Sequence, residues 1–134
     1  MKQLKLFAVA AALTITSFAL TSCGEDKKIA AEALKAIPNN AYKKVDSSLS
    51  LYGSIMVSTS SGKAEVLIDW TGTPTERWIF SARNEYGRIV ATPTLPDKTK
   101  NEEAVAFTLT ATATYKGAKA TKMFEGLLMP VVNN

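Results

Sequence analysis

The strongest alternation of apolar and polar residues runs from Val105 to Tyr115. Val105, Phe107, Leu109, Ala111, Ala113 and Tyr115 interleave there with Ala106, Thr108, Thr110, Thr112 and Thr114. A period of two puts one set on each face of a strand, so this stretch predicts a half-buried strand with an apolar inner face and a threonine outer face. Lys116-Gly117 breaks the pattern, and Ala120 to Leu128 reads as the second arm of a hairpin. Phe124 and Leu128 extend one apolar face of that arm, while Met123, Leu127 and Met129 fall on the other. Either a bulge near Gly126 shifts the register or both faces are covered. Upstream, candidate strands are Ser48 to Tyr52, Ser54 to Thr59, Ala64 to Trp70, Arg77 to Arg83 and Arg88 to Ala91. Gly53, Ser60-Ser61-Gly62, Gly72-Thr73-Pro74 and the stretches Asn84 to Gly87 and Thr92 to Asn101 separate them. About seven short strands with no crossover helices between them predict an all-β, antiparallel β-sandwich over residues 45–134.

One segment has a helical period instead. Ile29, Ala33, Leu34 and Ile37, with Ala30 beside them, share a face from which Glu32 and Lys35 point away. Asp26 is placed to cap this helix, which must end before Pro38. A stripe of this kind either binds a partner or packs on its own domain, and three turns of helix favour the second. Asn39-Asn40 then predicts a turn.

At the extreme N-terminus the pattern changes again. Lys2 and Lys5 precede an apolar run from Leu6 to Leu20. That run, about 15 residues, is shorter than a bilayer-spanning helix needs, and its basic start and small-residue end describe a signal segment, residues 1–22. It closes on Leu20-Thr21-Ser22-Cys23, which resembles the lipobox of bacterial lipoproteins. The resemblance implies cleavage before Cys23, a thioether-linked diacylglycerol on its sulfur, and acylation of the new amino group. Several acyl chains, at roughly 0.8 kcal/mol per buried CH₂, make such anchoring stable. Residues 23–44 are then the lipidated N-terminus, a tether and the short helix. The acidic Glu25-Asp26 just after the cysteine is similar to lipoproteins of Bacteroidota, although Lys27-Lys28 follows. This implies an outer-membrane lipoprotein, on the periplasmic face or at the cell surface.

Composition narrows the chemistry. The 134-residue chain has no histidine and one cysteine. With Cys23 committed to lipid, disulfides, Cys/His zinc sites, Ser-His-Asp triads and Cys-His dyads are all excluded. The formal charge of +4 includes Lys2 and Lys5, so the mature chain is close to neutral and offers no basic footprint for nucleic acid. No metal spacing or phosphate-binding loop points to a cofactor. Asp69, Glu76, Glu85, Asp97, Glu102 and Glu103 are scattered without the close pairing that a glycosidase needs. Lys116, Lys119 and Lys122 around the hairpin turn, and Lys98 and Lys100 in the long loop, are accounted for by solubility and edge protection.

Beyond the lipobox, Ile68-Asp69-Trp70, the turn with Pro74, Gly87-Arg88-Ile89-Val90 leading to Pro93, Phe107-Thr108-Leu109-Thr110-Ala111-Thr112 and Thr121-Lys122-Met123-Phe124 together resemble the atrophied bacterial immunoglobulin-like domain. The resemblance covers residues 28–131. It departs from the family at Gly87 to Pro93, which has extra residues, and at Leu51-Tyr52, where the family favours Leu-Pro. It implies an immunoglobulin-like sandwich of about seven strands, usually an accessory module, with no catalytic residues to carry over. A tryptophan placed like Trp70 then packs between the sheets, as does Tyr115. Trp78, with Arg77 and Tyr86, is the better exposed candidate for a ligand surface, although core packing is the favoured reading of this tryptophan too.

The chain therefore reads as a lipid-anchored, non-enzymatic envelope protein. It would meet the membrane through Cys23 and bind a protein or glycan partner. The alternatives are a small envelope hydrolase, an enzyme inhibitor, or a purely structural spacer domain.

Overall fold

In the computed structural model, which describes residues 24–132, the period-two stretches are strands. The expected signal segment, residues 1–22, and Cys23 lie outside the described residues. The order is α1 (Glu25–Lys35), β1 (Lys44–Val45), β2 (Leu49–Tyr52), β3 (Ser54–Thr59), β4 (Gly62–Thr73), β5 (Trp78–Phe80), β6 (Arg88–Pro93), β7 (Val105–Tyr115) and β8 (Ala118–Leu128), with short 3₁₀ turns at Thr75–Arg77 and Lys98–Lys100. The described residues are mostly β, with two sheets and one helix. A five-stranded sheet runs β1-β8-β7-β4-β3, and a three-stranded sheet runs β2-β6-β5.

Three expectations about the strands are corrected. The pairing is not all antiparallel: β1 lies parallel to β8, with Lys44 opposite Leu127 and Val45 opposite Leu128. No bulge forms near Gly126. Phe124 and Leu128 are buried, while Met123 and Leu127 are each 38% exposed, so the alternation runs unbroken. Gly126 serves the parallel pairing instead, because a Cβ there would overlap the backbone carbonyl oxygens of Tyr42 and Lys43. Leu127 N–H donates to Lys43 C=O at 2.9 Å and Met129 N–H to Val45 C=O at 2.8 Å. Finally, the strand expected from Arg77 to Arg83 is confined to Trp78–Phe80. Arg77 N–H turns back to Pro74 C=O at 3.1 Å, and past Phe80 the Ser81 hydroxyl accepts from Val90 N–H at 2.9 Å.

Contacts divide the chain into two compact units. The first holds residues 24–38, Ser54–Asp69 and Thr110–Met123. Its strands turn small residues inward: Ala64, Ala111, Ala113, Ala118 and Ala120 are buried, with Val57, Val66 and Ile68. Helix α1 packs against β3 and buries Ile29, Ala30, Ala33 and Leu34. A helix is about 10 Å across with its side chains, and alanines on the sheet leave room for it. Asp26 is not the cap. Gly24 holds that position without a side-chain bond, and Glu25 and Asp26 fall in the first turn, where their charge meets the positive end of the helix dipole. Glu32 and Lys35 point away as expected and pair at 3.3 Å on the surface, a contact worth little.

Lys122 is the one charge on the inner side of β8, in step with Ala120 and Phe124. Its Nζ donates to the carbonyl of Leu34 at 3.1 Å and to that of Ile37. Leu34 stands in the last turn of the helix, where carbonyls lack the usual i+4 donor, and Ile37 lies just past its end. Lys122 is therefore a helix cap, not the solubilising lysine expected from its place near the turn. Burial lowers the pKa of its ammonium below the ordinary lysine value.

The second unit holds Asn39–Gly53, Trp70–Leu109 and residues 124–132, and its inner residues are large. Trp70, on β4, is 6% exposed and its Nε1–H donates to Tyr52 C=O on β2 at 2.7 Å. Tyr42 meets Trp70 edge-on at 5.9 Å and Phe124 at 5.3 Å, and Trp70 lies 5.6 Å from Phe124. Trp78, on β5, meets Phe107 of β7 edge-on at 5.3 Å. Within this unit the two sheets thus face each other through aromatic rings. The connection from Thr94 to Asn101 is pinned: Pro96 is fully buried, Lys98 N–H donates to Val131 C=O at 2.8 Å and Val131 N–H to Pro96 C=O at 3.0 Å.

Candidate binding surface

Burial decides which face of the three-stranded sheet is available. Leu51, Ile89, Ala91 and Trp78 are buried. Alternation then leaves Ser50, Tyr52, Arg88, Val90, Thr92 and Ile79 on the other face, where the register sets Ser50 opposite Val90, Tyr52 opposite Arg88 and Ile79 opposite Thr92.

Two turns meet at one end of this sheet. Gly53 N–H donates to Gly87 C=O at 2.7 Å, and a Cβ on Gly53 would lie 2.9 Å from that oxygen and 3.0 Å from the Arg83 side chain. Asn84 Oδ1 accepts from the N–H groups of Tyr86 and Arg88, both at 2.9 Å. Asn84 N–H donates to Arg88 C=O at 2.8 Å, and Gly87 N–H to Asn84 C=O at 3.0 Å. The turn needs Gly87 at φ 72, a conformation that glycine adopts freely. This asparagine-anchored turn holds Tyr86 at 79% exposure, the highest among the large apolar side chains described.

Two arginines are fixed at the same end. Arg83 Nε donates to Gly53 C=O at 2.7 Å. Arg88 crosses to the neighbouring strand, where its Nε donates to Ser50 Oγ at 3.0 Å and its Nη2 to Ser50 C=O at 2.7 Å. Its guanidinium carbon lies 4.3 Å from the centre of the Tyr52 ring. Tyr42 also feels this group: burial raises its phenol pKa, Arg88 opposes the rise, and Tyr52 adds to it.

The residues expected to form a ligand surface do not converge. Trp78 is 6% exposed, stacked 6.0 Å from Phe80 and seated over Gly72, where a Cβ would approach its ring to 2.7 Å. Its Nε1–H is buried without a hydrogen-bond partner. Trp78 is therefore a core residue and offers no face to a ligand. Arg77 is half-buried and its Nη1 donates to Thr94 C=O at 2.8 Å. It lies beyond the Pro93 end of β6, whereas Tyr86 precedes the Arg88 end. About six residues of strand, roughly 20 Å, separate those ends.

No protein-family model, curated protein or solved structure matches the chain.

Of the expected residues, only Tyr86 stays at the assembled end. Ser50, Tyr52, Arg83 and Arg88 join it, and sequence reasoning did not single these out. Their convergence depends on the pairing of β2 with β6, which no local pattern specifies. Among the described residues no three histidine, cysteine or acidic side chains are grouped to hold a metal. Asp97 and Glu102 spend their carboxylates within the long connection: Asp97 Oδ1 accepts from Thr99 N–H at 2.9 Å and Thr99 Oγ1 at 2.6 Å, and Glu102 Oε1 accepts from Asp97 N–H at 2.8 Å. Chemically, the Arg88 end can donate hydrogen bonds and offer aromatic faces.

Proposed function

We propose that this chain is a lipid-anchored, non-enzymatic protein of the bacterial cell envelope, whose immunoglobulin-like sandwich binds a protein or glycan partner. The observation that carries the reading is Leu20-Thr21-Ser22-Cys23, a lipobox holding the sole cysteine at the end of a basic-then-apolar signal segment. Lipid on Cys23 would hold the protein at the outer membrane, on the periplasmic face or at the cell surface.

The strand order supports the immunoglobulin-like part. In that architecture strands B, E and D share one sheet, C, F and G the other, and a tryptophan on strand C is buried between them. Here β2-β6-β5 corresponds to B-E-D and β4-β7-β8 to C-F-G, and β4 carries buried Trp70. Two additions depart from the seven-strand pattern: β3 extends the edge beside β4, and β1 joins β8 in parallel.

The test is binding by the lipidated protein. It is expected to retain a glycan on an array or a protein from envelope extract. Blank results in both at high protein concentration overturn the reading.

A further inference from the structure

We propose that the Tyr52–Arg88–Tyr86 end of the three-stranded sheet binds a carboxylate-bearing sugar of an acidic glycan. The proposal rests on the binding-module reading above and gives it a ligand class and a location.

Arg88 is an arginine held in place with its charge unanswered. Ser50 takes its Nε–H and one Nη2 hydrogen, and Tyr52 covers one face of the guanidinium. No carboxylate is among these partners. Most of its five N–H donors remain for a ligand, and because the plane is already fixed, little side-chain entropy is lost on binding. The group that completes such a fork is a planar oxyanion, bound by two parallel charge-assisted hydrogen bonds.

The surroundings favour a sugar as the bearer of that oxyanion. Tyr86 stands two residues before Arg88, on a turn fixed by Asn84. A rigid turn that holds an aromatic ring in water offers a platform for the apolar face of a pyranose. Ser50 and Thr92 line the same sheet face, with Ser48 3.5 Å from Thr92 between hydroxyls, so the neighbourhood is rich in hydroxyl groups. An acidic peptide would call for several cations. Arg88 is the only charge among the outward residues of β2, β5 and β6, and Arg83, the other cation at this end, gives its Nε–H to Gly53 C=O.

A purely structural Arg88, stapling β2 to β6, makes a different prediction: its replacement lowers stability and leaves ligand binding untouched at equal folded fraction. The experiment uses the lipidated protein in detergent micelles, titrated calorimetrically with polygalacturonate, its methyl ester and polyglutamate. Polygalacturonate is expected to bind, the methyl ester about tenfold or more weaker, and polyglutamate no better than the ester, as loss of a charge-assisted bidentate contact dictates. Arg88→Gln should weaken polygalacturonate binding about tenfold or more. Tyr86→Ala should weaken it several-fold with an unchanged melting temperature, which keeps the test valid if Arg88→Gln folds poorly. Arg77→Gln, at the far end of the sheet, should leave binding unchanged.

Three outcomes overturn the proposal: no binding to polygalacturonate, equal binding to polyglutamate, or an Arg77→Gln loss as large as that of Arg88→Gln. A partner captured from envelope extract while polygalacturonate fails to bind removes this site and leaves the binding-module reading standing.

Discussion

Trp70 and Trp78 are equally buried, at 6% exposure each, yet their indole N–H groups have opposite fates. Trp70 donates to Tyr52 C=O at 2.7 Å, whereas Trp78 Nε1–H has no partner. An unsatisfied buried donor costs about 1–3 kcal/mol, and a satisfied one loses its bond when removed. Trp→Phe should therefore cost more at position 70 than at 78, by about 1–3 kcal/mol. Urea unfolding of the two variants checks this, and equal losses would show that ring volume alone governs both sites. Lys122 gives a second prediction at this scale, in its response to pH. Its folded pKa is lowered, so just below the ordinary lysine value of about 10.4 the unfolded chain binds more protons and stability rises with pH. Tyr42 has the opposite sign: its raised pKa contributes stability that is lost as pH rises through the ordinary tyrosine value of about 10. Comparison with Lys122→Met cancels the Tyr42 contribution. From pH about 8 to about 10.5, wild type should gain stability relative to the variant. A flat difference would mean that burial leaves Lys122 unperturbed.

The same residues explain how much of each element was legible. Period-two alternation in β7 and β8 depends only on neighbours along the chain, so those strands and their hairpin could be read directly. The apolar stripe of α1 was equally local. The seat of that stripe was written less plainly, in the size of the inward residues. Along β7 they pass from Phe107 and Leu109 to Ala111 and Ala113, and along β8 from Ala118 and Ala120 to Phe124 and Leu128. Lys122 at an inward position was a further signal, because a lysine facing a core needs acceptors and a helix end supplies them. By contrast, β1 is two residues long and exists only through its parallel pairing with β8, so no periodicity could announce it. The Arg88 end likewise needed the register of β2 against β6. The alanine seat is testable. Ala113 is fully buried, and Ala113→Leu should cost about 1–3 kcal/mol by overpacking and weaken hydrogen-exchange protection in α1. Thr112→Leu, on the outer face of the same strand, should stay within about 0.5 kcal/mol of wild type. Equal losses would show that the inner face has room to spare.

At the scale of the whole molecule, the proposed lipid site and the folded body are close in sequence. Helix α1 starts at Glu25, so Gly24 alone stands between it and Cys23, and the tether expected between the lipidated N-terminus and the short helix is that one residue. A lipid on Cys23 would then hold the body close against the membrane, where only surfaces turned away from it can meet a partner. Cys23→Ala should abolish labelling by a palmitate analogue and leave the precursor uncut or the protein released, and persistent labelling would refute the anchor itself. The short spacing has its own test. Glu32 is exposed on α1, about 10–12 Å along the helix from Gly24 at 1.5 Å per residue. In the lipidated protein the Cys23 thiol is blocked, so a fluorophore can be placed selectively on Glu32→Cys. A nitroxide quencher at the lipid headgroups should quench it strongly. Inserting about twelve Gly/Ser residues after Gly24 adds a flexible reach of roughly 20 Å and should relieve most of the quenching. If quenching is the same with and without the insertion while palmitate labelling persists, something other than the short spacer sets the distance to the membrane.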